Sequence, residues 1–250
     1  SQVVFQQGRL VEAEVEARGA IEKAGIFYPG AYNYNGNAAA PVSVLAAILL
    51  EQGKLDDALY LARIAVNMHE SSCSEPQSLG ITEARKIWID AMAEQRNWSG
   101  ILKLVEAART ALKEYPDLFQ QQFGTSLAYI EAELNAGDAS RGLQLANTLK
   151  TAALKKDGAD SYAAAEIEGI LALAEAKLKQ QNAALKGFWG AMPLLVSGAS
   201  SNGTAVSGRR QRILQGYMDL LVDLSNSGQS QAAGFHIPSE LLRLSSVLRL

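Results

Sequence analysis

The stretch EQGKLDDALYLARIAV, from Glu51 to Val66, reads as the corner of a helical hairpin. Gly53 sits at the turn, where a residue without Cβ adopts the positive φ at which many helices end. Leu55 follows two positions on, and Ala58, Ala62 and Ala65 mark one face of the next helix. Asp56 and Asp57 fall in its first turn, where carboxylates stabilise exposed N–H groups. Related segments recur along the chain: QQGRLVEAEVEARGAI from Gln6, EQRNWSGILKLVEAAR from Glu94 and NAGDASRGLQLANTLK from Asn135. Two weaker copies follow, QQNAALKGFWGAMPLL from Gln180 and NSGQSQAAGFHIP from Asn226.

Taking the turns at Gly8, Gly53, Arg96, Gly137, Asn182 and Gly228 gives spacings of 45, 43, 41, 45 and 46 residues. A hairpin repeated at such an interval is a solenoid unit, because neither helix buries its apolar stripe without a neighbouring repeat. Five residues after the turns stand Ala13, Ala58, Ile101, Gly142, Gly187 and Ala233, nearly all small, as expected where helices cross closely. The spacing predicts first helices over 40–52, 80–95, 117–135, 159–180 and 208–226, with second helices over 10–23, 55–70, 98–114, 138–155 and 182–196. Apolar stripes support them, as in Ile101, Leu104, Val105, Ala108 and Leu112, or Ile167, Ile170, Leu171, Ala174 and Leu178. The expected architecture is all-α, with antiparallel helix pairs and no sheet, over residues 1–250. Residues 229–250 read as an irregular cap or a truncated unit, since Pro238 forces the last helix to stop or restart. SELLRLSSVLRL then gives a short amphipathic segment with Ser239 as the expected N-cap.

Composition agrees with helices and limits function. Proline is scarce, at 6 residues, and Ala, Leu, Glu, Gln and Lys abound. A net charge of -3 gives no pull toward a polyanion, so nucleic acid is not an expected partner. The single cysteine, Cys73, excludes an intrachain disulfide and a multi-thiolate metal site. No stretch approaches the roughly 20 apolar residues that span a bilayer, so no membrane role is expected either. The chain opens without Met and inside a repeat, which reads as a fragment or processed product; a cytoplasmic location is the expectation.

The group Gly53, Leu55, Ala58 and Ala65, with Ala46 seven residues before the turn, resembles the tetratricopeptide repeat. That resemblance implies a right-handed solenoid whose inner face binds protein or peptide. The long period and the segment RRQRILQGYMDLLVDLSNSG, residues 209–228, resemble helical arrays that precede the CHAT domain, a caspase-like peptidase module of bacterial proteins. This second resemblance implies a regulatory array acting in cis on a cysteine peptidase domain that lies outside the 250 residues. In a tetratricopeptide unit, positions two, five, nine and twelve of the first helix line the inner face. They fall at Ala40, Ser43, Ala47 and Leu50, then at Glu83, Lys86, Asp90 and Ala93. The third set is Gly124, Leu127, Glu131 and Leu134, and the fourth is Gly169, Ala172, Ala176 and Lys179.

No constellation of side chains points to catalysis, a cofactor or a metal. His69 and Cys73 are four residues apart, but the intervening ESS and the following SEP read as a helix end, so the expected role is an ordinary helix-end histidine beside an incidental thiol. With only one further histidine, His236, a closed zinc site lacks ligands. The Gly- and Ser-rich stretch from Val196 to Arg210 lacks the P-loop spacing. Its expected reading is a flexible inter-repeat loop followed by a solvated helix start, with an anion site at Arg209, Arg210 and Arg212 as the alternative. The aromatic loop GIFYPGAYNYNGN, with Phe27, Tyr28, Tyr32 and Tyr34, offers either a contact surface or local packing. Candidate binding residues are therefore these four aromatics together with Lys86, Asp90, Leu127 and Leu134. The expected occupant is a protein or peptide, such as an amphipathic helix or an adjacent domain of the same polypeptide.

Overall fold

The structure is a computed structural model that describes residues 2–24, 36–72, 74–157, 161–197, 204–228 and 236–248, without the side chains of 36–38, 156–157 and 204–207. Among the described residues every regular element is helical. The chain divides into two compact units, Ser1–Tyr129 with Gly203–Ala205, and Ile130–Asn202 with Val206–Leu250.

The first unit contains α1 (Gln2–Gln6), α2 (Leu10–Lys23), α3 (Gly36–Glu51), α4 (Leu55–Ser71), α5 (Leu79–Glu94) and α6 (Trp98–Ala111), then α7 (Pro116–Phe119) and a π-helical turn (Gln120–Gly124). The second holds most of α8 (Leu127–Ala136), then α9 (Ala139–Asp157), α10 (Tyr162–Lys177), α11 (Gln181–Ser197), most of α12 (Thr204–Asn226) and α13 (Ile237–Leu248). Consecutive helices pack as antiparallel pairs, α3 on α4 and α10 on α11 most extensively, and within the units neighbouring pairs stack, α2 on α3 and α4 on α5 in the first and α9 on α10 in the second. The fold is the all-α solenoid expected from the repeat.

Four corners share one hydrogen-bond pattern. Gly53 N–H donates to Leu50 O at 3.0 Å and Lys54 N–H to Leu49 O at 2.9 Å; the same two bonds close the turns at Gly8, Arg96 and Lys179. This pairing ends a helix with one residue in the left-handed region. Gly8 and Gly53 both have φ of 75°, while Arg96 (56°) and Lys179 (63°) hold that conformation despite a Cβ. The fifth corner is therefore at Lys179, and Asn182, the expected turn residue, lies inside α11. The register moves by three, so Ala184, fully buried, occupies the crossing position expected of Gly187. Gly137 also departs from expectation: it is not among the positive-φ residues, and the Glu133 carboxylate accepts from Asp138 N–H there at 3.2 Å.

The first helices are apolar over most of their circumference because they sit between neighbours. Val42, Leu45, Ile48 and Leu49 of α3 are buried in a core shared with Ala13, Ala17 and Ile21 of α2 and Ala58, Ala65 and Val66 of α4. Ile167, Ile170, Leu171 and Ala174 do the same for α10. On α6 the narrower stripe Ile101, Val105 and Ala108 is buried, as a second helix facing outward requires.

The single helix expected over 117–135 is broken. Pro116 starts α7, a π turn follows, and Ser126 Oγ accepts from Tyr129 N–H at 3.4 Å at the start of α8. Phe119 and Phe123 stack at 5.8 Å across that turn, with the Arg109 guanidinium over the Phe119 ring at 4.3 Å. At the other end α13 begins at Ile237, so Ser239 lies in its first turn rather than before it, and its hydroxyl meets His236 Nδ1 at 2.8 Å. Pro238 is placed where a missing N–H costs nothing.

Candidate functional site

A groove of about 300 Å³ opens in the first unit, lined by three successive first helices. α1 contributes Gln2 and Phe5, α3 contributes Ala40, Ser43, Val44 and Ala47, and α5 contributes Gly80, Glu83, Lys86, Ile87 and Asp90. Six of the eight inner-face positions named from the sequence on α3 and α5 line it. Leu50 and Ala93 are instead buried within the helix stack.

The two walls differ in chemistry. On α3 the side chains are small, and the buried Ser43 hydroxyl is used by its own helix, donating to Ala39 O at 3.1 Å. That wall therefore behaves as apolar surface. On α5, Glu83 and Lys86 are exposed and Asp90 is half-buried, with Ile87 between them. The spacings 40, 43, 47 and 83, 86, 90 follow the i, i+3, i+7 rule that keeps side chains on one helical face. Gly80 has a separate reason: a Cβ there would come within 2.6 Å of His69 Cε1.

His69 is thus a packing residue at the end of α4. Its ring is buried, Nδ1 lies 3.5 Å from Ser74 Oγ, and Nε2 has no hydrogen-bond partner. Cys73, its expected neighbour, lies outside the described residues. Burial pushes the imidazole below its ordinary value of 6.5. The unfolded chain therefore takes up this proton at higher pH than the folded chain, so the stability due to the neutral ring is full above about 6.5 and declines as pH falls below it. Urea midpoints should drop between about pH 7.5 and about pH 5.5, and His69→Gln should flatten that slope. An equal slope in both proteins would contradict it.

In the second unit an ion cluster occupies part of the inner side. Arg212 of α12 forks onto Glu131 of α8 with Nε–Oε1 at 2.7 Å and Nη2–Oε2 at 3.0 Å. Arg209 bridges Glu131 Oε2 at 3.3 Å and Glu166 Oε1 of α10 at 3.4 Å. None of the four side chains is more than 10% exposed. Burial raises the Glu166 carboxyl above its ordinary value, against the opposing pull of Arg209. The solvated helix start expected here is overturned at Arg209 and Arg212, which are buried, and the alternative anion site loses both, since carboxylates of the chain already meet them. Two positions of the fourth inner-face set are filled likewise: Ala172 is fully buried, and a Cβ on Gly169 would meet Ile213 Cγ2 at 2.6 Å, whereas Ala176 is half-buried and Lys179 exposed.

The other candidate residues are dispersed. Phe27, Tyr28, Tyr32 and Tyr34 lie outside the described residues. Leu127 is half-buried, and Leu134 is 4% exposed and packs on Gly142, so neither stands on the groove lined by Lys86 and Asp90. Among the described residues no three His, Cys, Asp or Glu side chains converge on a metal position, and no helix is long and apolar enough to cross a membrane.

No family model matches the sequence, and no curated protein matches it. Solved structures do. BtubC (BKLC) from P. vanneervenii superposes with a TM-score of 0.56 at 14% identity, over 96% of this chain and 92% of that one. A Podosopora anserina protein with nearly identical TPR-like repeats, assigned to the kinesin light chains, gives 0.53 at 12% identity, over 80% and 93%. The chain has the tetratricopeptide-like helical-repeat fold. At these identities the likeness carries the fold alone, and the functional reading rests on the groove.

Proposed function

We propose that the chain is a non-catalytic scaffold that binds a segment of protein or peptide in the groove between α1, α3 and α5. The observation that carries this reading is the juxtaposition of a small-residue wall, Ala40, Ser43 and Ala47, with the charged row Glu83, Lys86 and Asp90. An apolar floor supplies burial and a polar edge supplies orientation, which is the composition of a peptide-receiving groove. Tetratricopeptide-like neighbours support the architecture. The regulatory alternative, an array acting on a CHAT-like cysteine peptidase domain, rests on the sequence resemblance of residues 209–228.

Ala47→Trp tests the site by filling it. Peptides enriched from a displayed library on the wild-type chain should lose at least about tenfold in affinity on the variant, roughly 1.4 kcal/mol. A Val222→Ala control on the exposed part of α12 should change nothing. Unaltered binding by Ala47→Trp, with an unaltered circular dichroism spectrum, would move the binding surface elsewhere.

A further inference from the structure

α13 buries Ile237, Glu240 and Leu244, at the i, i+3, i+7 spacing that makes one helical face. The Glu240 carboxylate on that face is held by its own helix: Arg243 Nε donates to Oε2 at 2.8 Å and Nη2 to Oε1 at 2.6 Å. Ser239 meets His236, Ser245 donates to Leu242 O and Ser246 to Arg243 O, so these polar side chains too are satisfied within the segment. Among the described residues no hydrogen bond or ion pair joins α13 to another helix. α12, in contrast, is tied to α8 and α10 through Arg209 and Arg212.

The helix beneath adds a second observation. Tyr217 of α12 is fully buried, its ring stacked on Phe188 at 5.1 Å, and its hydroxyl has no hydrogen-bond partner. A buried tyrosine hydroxyl usually finds one. Burial pushes this phenol above its ordinary value of 10; the Glu240 carboxylate pushes the same way and Arg243 opposes it, which places that pair of α13 near the ring. Docking of α13 therefore takes water from the hydroxyl without supplying a partner. Leaving such a group unsatisfied opposes the apolar burial of Ile237 and Leu244.

We infer that α13 is a detachable cap, released as one unit while α10, α11 and α12 stay folded, and that the unpartnered hydroxyl of Tyr217 sets how readily it leaves. Release returns water to that hydroxyl and to the Glu240 carboxylate. It also bares part of the apolar stripe of α12 around Tyr217. Elements that move are drawn from the least stable part of a fold, and a helix held by apolar contact alone belongs there. No residue of the groove in the first unit takes part.

Native-state hydrogen exchange of the full chain, read by mass spectrometry at neutral pH, measures the release. Amides of α13 should exchange together, at least about tenfold faster than those of α10 and α11. Tyr217→Phe removes the hydroxyl and keeps the ring. It should slow exchange in α13 by about fivefold or more, the effect of one unsatisfied buried hydroxyl, and leave α10 and α11 unchanged. Leu244→Asp should abolish protection in α13 while α10 and α11 keep theirs. Four results would overturn the assignment: equal protection of α13 and α10 in the wild type; exchange in α13 unchanged or faster in Tyr217→Phe; equal slowing of all three helices in that variant; or loss of protection in α10 and α11 together with α13 in Leu244→Asp.

Discussion

Glu131→Ala is expected to destabilise the second unit by about 3–5 kcal/mol, because it removes a buried carboxylate that meets two buried arginines rather than a single contact. Arg212 loses both of its bonds to that carboxylate, and Arg209 loses its contact with Glu131 while that with Glu166 remains. Urea unfolding followed by circular dichroism measures the loss. Replacing the whole cluster, with Glu131→Leu, Glu166→Leu, Arg209→Met and Arg212→Met together, should restore most of it, since well-packed apolar groups of similar size carry no desolvation cost. A single-variant loss below about 1 kcal/mol would mean that water reaches the cluster.

The second large effect concerns close helix crossings. A Cβ on Gly142 would lie 2.6 Å from Leu134 Cδ2 and 3.0 Å from its Cγ, and Leu134 is buried. Gly169→Leu meets Ile213, which is also buried, at the same 2.6 Å. Both substitutions gain up to about 1 kcal/mol of helix propensity and should still lower stability by about 1–3 kcal/mol through overpacking. Gly187→Leu should have the same sign, because its Cβ would stand 3.0 Å from Ala172 Cβ. A raised urea midpoint in Gly142→Leu would show that α8 and α9 can separate there without loss.

How much of this was legible in the sequence depends on how far apart the interacting residues lie. Turns that use glycine, at Gly8 and Gly53, announce themselves. The turn at Lys179 does not, because a lysine in the left-handed region looks like any helical lysine, and the repeat spacing points instead to Asn182, three residues later. The groove walls were readable because i, i+3, i+7 spacing is local to one helix. The break before α8 had a local signal too, Gly124 followed by Thr125 and Ser126, which the repeat pattern overrode. The ion cluster had none: Glu131 and Arg209 are 78 residues apart, and their pairing exists only once α8, α10 and α12 stand together.

That separation has a kinetic consequence. Stacked hairpins fold from contacts between neighbours, so each corner can close soon after it is made. The fork from Arg212 to Glu131 spans 81 residues and cannot form until α12 has arrived. Until then Glu131 and Glu166 must stay hydrated, with α8 and α10 held apart or only loosely joined at that face. The second unit therefore completes its burial in one late step, and its slowest-exchanging amides should cluster on these three helices and appear together in refolding time courses.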